Sequence, residues 1–429
     1  MPNRIPSRRA STRKPSRLLV VAALVAACST TAPSPSPAPT AVPVAPSPTT
    51  VPATPVATQR PLQEVYADIR TKVEAIRGLQ PTADVEPVVI DATQLAKNLE
   101  QEFDATHTDQ ALQDAEDELI TLGLLAPGTS LRAITLAFQG GQVAGYYSPE
   151  SNELFVVSRT TAVGPADEST YAHEFTHQLQ DQHVDLDKLG IDVSDQSDRS
   201  LARLALVEGD AVSVQTTWMT ENLTSQELGQ VLAAGLDPDA LKAFNDAPAY
   251  LRETALFPYQ QGLAFVMRLV GSGGYAAVDA VFADPPDSTE QILHPDKYTT
   301  REAPIAVKIP SGLAKALGTG WSEVGQDTLG EFLLRVWLKQ GGVTNLAATA
   351  AAEGWGGDRL VLLRGPSGAV SVAFISAWDT AADAAEFQAA AATAARALDP
   401  GATVFSDDLR RVYVVMGDEV ADVAAAVAK

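Results

Sequence analysis

The chain has 429 residues, 45% of them hydrophobic, a formal net charge of −22 and one cysteine. Such an acid excess excludes nucleic acid and anionic lipid headgroups as partners of its surface, and a lone cysteine excludes an intrachain disulfide framework. Beyond the first 60 residues about 370 remain, enough for a large core in more than one lobe.

Arg4, Arg8, Arg9, Arg13, Lys14 and Arg17 form a basic start, followed by a short apolar run from Leu18 to Ala27. The run is too short to span a bilayer as a stable helix, so residues 1–28 read as an export signal. Its end, Leu24-Val-Ala-Ala-Cys28, resembles a bacterial lipobox. That resemblance implies that Cys28 is lipidated and anchors an exported protein to the outer face of the membrane in the bacterial cell envelope. The alternative is an ordinary signal with an incidental cysteine. Removing the six basic residues of this segment, which holds no acid, takes the charge to −22 − 6 = −28. Residues 29–60 are almost all Ser, Thr, Pro, Ala and Val, a polyproline-leaning spacer without a core.

The folded part divides into residues 61–325 and a C-terminal subdomain, 326–429. An amphipathic helix is expected over Leu62–Arg77, a strand over Val85–Ile90, a helix capped by Asp91 to about Phe103, and a helix over Asp109–Leu124. Leu131–Phe138 and Gln142–Tyr147 read as strands. A turn through Ser148-Pro-Glu-Ser-Asn152 returns the chain along Glu153–Ser158.

Next comes His173-Glu-Phe-Thr-His177. No Pro or Gly interrupts Glu168 to His183, and Asp167 or Ser169 can cap the helix start. Four residues is about one helical turn, so His173 and His177 present two imidazoles to one metal ion. Glu174 beside them can take a proton from an attacking water, the role a non-ligand carboxylate must fill. A catalytic zinc needs a third protein ligand and an open position. Ser200 to Val212 reads as a returning helix on which Leu201, Leu204, Ala205, Glu208, Ala211 and Val212 share a face. Glu208 lies 208 − 177 = 31 residues after His177 and is the candidate third ligand. A carboxylate on a buried face needs a metal or an ion pair, and Arg203 is the rival partner.

These residues resemble the gluzincin metallopeptidases, in which a His-Glu-x-x-His helix precedes a glutamate ligand on a second helix. Val143–Val157, His173–His183, Ala205–Ala211 and Ser288–Tyr298 further resemble a poorly characterised group of bacterial secreted or lipoprotein metallopeptidases. The resemblance implies an α+β, mostly helical fold with a zincin-like core, a small upstream hairpin and a C-terminal α+β subdomain. It implies Zn²⁺ as cofactor, a peptide or protein as substrate, and the strand Asn152–Val157 as the cleft edge. Many gluzincins carry an aspartate four residues after the ligand glutamate, whereas position 212 is Val. Asp210, or Asp181, is then the candidate carboxylate behind a ligand histidine. Candidate donors to substrate and oxyanion are His294, Tyr146, Tyr147, Tyr259 and Tyr298, with His294 first; the alternative is that His294 caps a helix. The rival functions are an inactive or latent binding lipoprotein and a zinc amidase acting on cell-wall peptides.

Helices are expected over Ser225–Ala233, Pro238–Asp246 and Pro248–Phe257. A separate one is expected from Phe257 with Pro258 in its first turn, Gly262 packing it against the metal helix. Tyr275–Ala283 and Ser288–Leu293 follow. The last hundred or so residues alternate helices (329–340, 345–352, 381–398, 418–428) with strands (359–364, 369–377, 403–406, 411–416).

Overall fold

The computed structural model describes residues 61–149, 151–157, 163–407 and 410–429, together with the backbone of 19–22. Cys28 and the spacer 29–60 lie outside the described residues. The fold is α+β and mostly helical, with two small sheets. Among the described residues no single helix is long and apolar enough to cross a membrane.

The first half is a helical layer over a four-stranded sheet. The elements are β1 (Leu19–Ala22), α1 (Leu62–Arg77), β2 (Pro87–Ile90), α2 (Ala92–Thr106), α3 (Asp109–Thr121), α4 (Leu131–Gln142), β3 (Val143–Ser148) and β4 (Glu153–Val157). Sheet order is β1-β3-β4-β2, with β2 parallel to β4 and the other pairs antiparallel. Asp91 caps α2 by accepting the Gln94 N–H, as its sequence position suggested. The expected strand 131–138 is instead the helix α4. Ser130 caps it through the Ala133 N–H. Leu131 and Ile134 pack on one core cluster and Leu136 on another. Tertiary packing overrides the β-branched residues there.

The metal helix α5 (Pro165–Val184) and α6 (Ser197–Asn222) follow. Asp167 acts from inside α5, accepting the Gly164 N–H at 2.8 Å, so Gly164 and not Asp167 or Ser169 is the capping position. Then come α7 (Ser225–Ala234), α8 (Pro238–Asp246), α9 (Ala249–Gly273), α10 (Tyr275–Ala283), α11 (Thr289–Leu293) and α12 (Pro295–Thr300). The expected break at Pro258 is absent, because α9 runs through it. Gly262 does permit a close approach, but to α6 and not to α5. A Cβ on Gly262 would lie 2.0 Å from the Ala205 carbonyl oxygen, and one on Gly209 would lie 2.2 Å from the Gly262 carbonyl carbon. Two glycines thus let the α6 and α9 backbones touch.

The second half contains α13 (Leu313–Leu317), β5 (Ser322–Asp327), α14 (Gly330–Gln340), α15 (Asn345–Ala352), β6 (Trp355–Arg364), β7 (Val370–Trp378), α16 (Ala381–Leu398), β8 (Thr403–Ser406), β9 (Arg411–Gly417) and α17 (Val420–Val427). The strands form an antiparallel sheet in the order β5-β6-β7-β9-β8. Side chains alternate between its faces. Leu360, Leu362, Phe374 and Val414 join the main core with Ala205, Phe257 and Trp337, while Val361, Leu363, Ile375 and Val415 face α13 and α17. The sheet therefore shares one core with α6, the helix that carries Glu208, while the buried face of α5 belongs to a separate cluster with α1 and β4.

Candidate metal centre

α5 is buried on nearly every side from Ser169 to Gln180, an environment that apolar helices usually occupy. Its position is fixed by Tyr171, Phe175 and Leu179, which pack with Tyr66, Ile69 and Val73 of α1 and with Leu154 and Val156 of β4. The opposite side turns His173 and His177 toward α6. His173 Nε2 and His177 Nε2 are 3.0 Å apart, and Glu208 Oε2 lies 3.3 and 3.5 Å from them. Around a tetrahedral zinc with bonds of ~2.0–2.2 Å, neighbouring ligand atoms stand roughly 3.3–3.5 Å apart. The three side chains fit one such ion, and two imidazoles with one carboxylate are a zinc donor set. Arg203 does not compete for Glu208, because it pairs with Asp287 at 2.9 Å.

Glu174 is fully buried, and no side chain hydrogen-bonds to its carboxylate, which lies against the Tyr147 main chain of β3. Burial pushes its carboxyl well above the usual range, against the nearby charge of His177. Burial would raise Glu208 too, but the two histidines outweigh it and hold that carboxyl at about 2. Burial would lower His177, yet Glu208 and then Glu174 raise it to about 9. Burial, the largest influence on His173, lowers it despite Glu208, so His177 is the ring that carries charge beside the Glu208 carboxylate, and a metal ion has to displace its proton to bind. Gly145 of β3 brings the sheet against this cluster: a Cβ there would lie 3.2 Å from Glu174 Cγ.

The groups behind the rings differ from those expected. His177 Nδ1 meets Gln180 Oε1 at 2.8 Å, and His173 Nδ1 meets Gln215 Oε1 at 3.2 Å. Asp210 stands one link further back, accepting from Gln180 Nε2 and from Arg77 Nε, both at 2.9 Å. Asp181 touches neither histidine; it accepts from the Tyr147 hydroxyl at 3.0 Å and the Leu186 N–H at 3.0 Å. Gln180, three residues after His177, reads as a solvent-facing side chain, and Gln215 lies 42 residues from His173, so neither amide stood out in the sequence. The polarity of an otherwise buried helix was the available signal.

Of the candidate substrate residues, Tyr259 lies beside the histidine motif, its ring stacked 6.4 Å from that of His173. Tyr146 is buried in the sheet core, where its hydroxyl accepts from Asn98 at 2.6 Å and its ring stacks on Phe155. Tyr147 is likewise buried and donates to Asp181. Tyr298 donates to the Asp284 carbonyl at 2.8 Å. His294 joins α11 to α12 but makes no side-chain cap, and its Nε2 pairs with Glu331 of α14 at 3.0 Å. Those bonds engage all four groups in the fold. The strand Asn152–Val157 is not an edge either, since β4 is flanked by β3 and β2. The strand beside Glu174 is β3, and its outer side pairs with the extended segment Leu19–Ala22, Gly145 opposite Val21.

The profile of a domain of unknown function (DUF8575) matches residues 317–428, from the end of α13 through α17. The histidine motif and Glu208 lie outside that stretch. No curated protein and no solved structure matches the chain.

Proposed function

We propose that this protein is a zinc-dependent peptidase of the bacterial cell surface, exported and anchored through Cys28. The observation that carries the reading is the convergence of His173, His177 and Glu208 within 3.0–3.5 Å, beside a buried carboxylate, Glu174, that no side chain hydrogen-bonds. Zinc held by these three residues would supply Lewis-acid polarisation of a scissile carbonyl and lower the pKa of water toward about 7. Glu174 takes the proton of the attacking water and returns it to the leaving amine, leaving a carboxylic acid and an amine. Its burial suits that exchange, because it raises the proton affinity of the carboxylate. Tyr259 is the candidate donor to the developing oxyanion, given its place beside His173. An extended substrate is supported by the outer side of β3, which pairs with an extended segment of the chain itself.

The test is metal analysis of the mature chain together with cleavage of casein and of cell-wall peptide fragments. Wild type is expected to hold one zinc and to cleave a peptide. Glu174→Gln is expected to keep the metal and lose on the order of 10²–10⁴ in rate. Glu208→Ala is expected to lose the metal. Wild type that takes up no zinc at neutral pH refutes the proposal, and cleavage of cell-wall fragments alone replaces the peptidase with an amidase.

A further inference from the structure

A histidine binds a metal through the ring nitrogen that lacks a proton, so its tautomer must be set before the ion arrives. In this protein an amide faces each ring. Gln180 Nε2 donates to the Val207 carbonyl at 3.0 Å and to Asp210 Oδ2 at 2.9 Å. A main-chain carbonyl only accepts, so the amide cannot be turned over, and its oxygen faces His177 Nδ1. An accepting oxygen demands N–H at Nδ1 and leaves a lone pair on Nε2, the atom that meets His173 and Glu208. Gln215 repeats the arrangement. Its Nε2 donates to the Ser169 carbonyl at 3.2 Å and to the Ser169 hydroxyl at 3.0 Å, and its oxygen faces His173 Nδ1.

We propose that Gln180 and Gln215 are positioning residues that select the Nδ1–H tautomer of both histidines, and that Arg77 of α1 secures the Gln180 arm through Asp210. The inference rests on the metal-centre reading above. Arg77 is 2% exposed, and it donates from Nε to Asp210 and from a terminal nitrogen to Asp279 at 2.6 Å. The two arms therefore differ in reach. The Gln215 arm stays between α5 and α6, whereas the Gln180 arm continues to the first helix after the spacer. Loosening α1 should disturb the His177 ring and leave the His173 ring in place.

The experiment measures zinc affinity of the mature chain by chelator competition, with nitrogen NMR of the histidine rings in zinc-loaded protein and in metal-free protein titrated to a pH at which both rings are neutral. Gln180→Leu and Gln215→Leu are each expected to weaken zinc by about 10–100-fold and to mix the tautomers of the facing ring. Gln215→Glu keeps an accepting oxygen at Nδ1 but loses the donor to the Ser169 carbonyl, so a single Nδ1–H tautomer should persist while zinc affinity changes. Arg77→Met should weaken zinc by about 3–10-fold and shift the His177 ring only. If Gln215→Leu does not fold, Gln215→Met, close in shape to glutamine, takes its place. Wild-type zinc affinity and one tautomer in both glutamine variants overturn the inference. Wild type that binds no zinc refutes the metal centre instead, and the ring spectra of the metal-free variants still decide the glutamines' part.

Discussion

The metal helices and the C-terminal sheet are both buried, but with different interiors. α5 sinks His173, Glu174, Thr176, His177, Gln178 and Gln180 into the protein. Around them Gln178 Oε1, Tyr171 Oη and Asp210 Oδ1 lack hydrogen-bond partners. The sheet buries Leu, Val, Ala, Phe and Trp, and the polar groups buried on β6 and β7 (Asp358, Ser371 and Ser376) are all hydrogen-bonded. Among the described residues, no orphaned side-chain atom lies on β5 to β9. Each orphan costs about 1–3 kcal/mol. On the proposed reading the α5–α6 region gives up stability for chemistry, and the core that α6 shares with the sheet offsets the loss.

The strongest way to break that comparison is to part the helices that carry the metal site from the rest. Gly262→Ala forces a Cβ against the Ala205 carbonyl on α6, a backbone atom with nowhere to go. The expected loss is about 3–5 kcal/mol in chemical denaturation, beyond ordinary overpacking. A loss below about 1 kcal/mol would mean that the α6–α9 contact relaxes freely, and that the metal region is not held from behind.

A smaller effect is expected from the sheet's own polar anchor. Asp358 accepts from the Leu329 and Gly330 N–H groups at 2.9 and 2.8 Å and from Trp355 Nε1 at 2.9 Å. It caps α14 from β6. Asp358→Ala strands three buried donors and should cost about 2–4 kcal/mol in thermal or chemical unfolding. Zinc affinity should not change, since α14 touches none of the three ligands. A parallel loss of zinc would show that the two interiors are not separable.

The same contrast explains what was legible in the sequence. Helices with simple amphipathic stripes and turn residues at both ends were read to the residue: Leu62–Arg77, Pro238–Asp246, Tyr275–Ala283, Asn345–Ala352 and Ala381–Leu398. The convergence of His173, His177 and Glu208 was legible too: the four-residue spacing of the histidines on one helix is local information, and Glu208 was marked by falling on the apolar face of the next helix. Long-range packing was not. Pro258 ends a helix by local rules, yet both halves of α9 lie on α6, and tertiary contact outweighs one missing hydrogen bond. Ser322–Asp327 carries no strand pattern, and its pairing with β6 makes it one. Gln180 and Gln215 are silent in sequence because their partners come from 27 to 46 residues away.

The seam between the two regions supplies the mildest prediction and a sign that can be worked out. A cavity of about 30 Å³ lies where α3, α9, β5 and α14 meet, walled by Leu119, Leu333 and Trp337. Glu118, Tyr250 and Asp327 line it as well. Burial, and then the like charge of Asp327, raises the Glu118 carboxyl to about 8. In the unfolded chain a glutamate titrates near ~4.3. Between these values the folded protein holds a proton that the unfolded chain has released. Stability from this group is therefore complete below the unfolded value and drains away as pH rises toward 8. Glu118→Gln keeps the size of the side chain and removes the titration. Between pH 5 and 8 the wild type should lose about 1–3 kcal/mol more stability than the variant, read as diverging denaturation midpoints. Parallel curves would mean that the cavity admits enough water to solvate the carboxylate, making the seam a wet one.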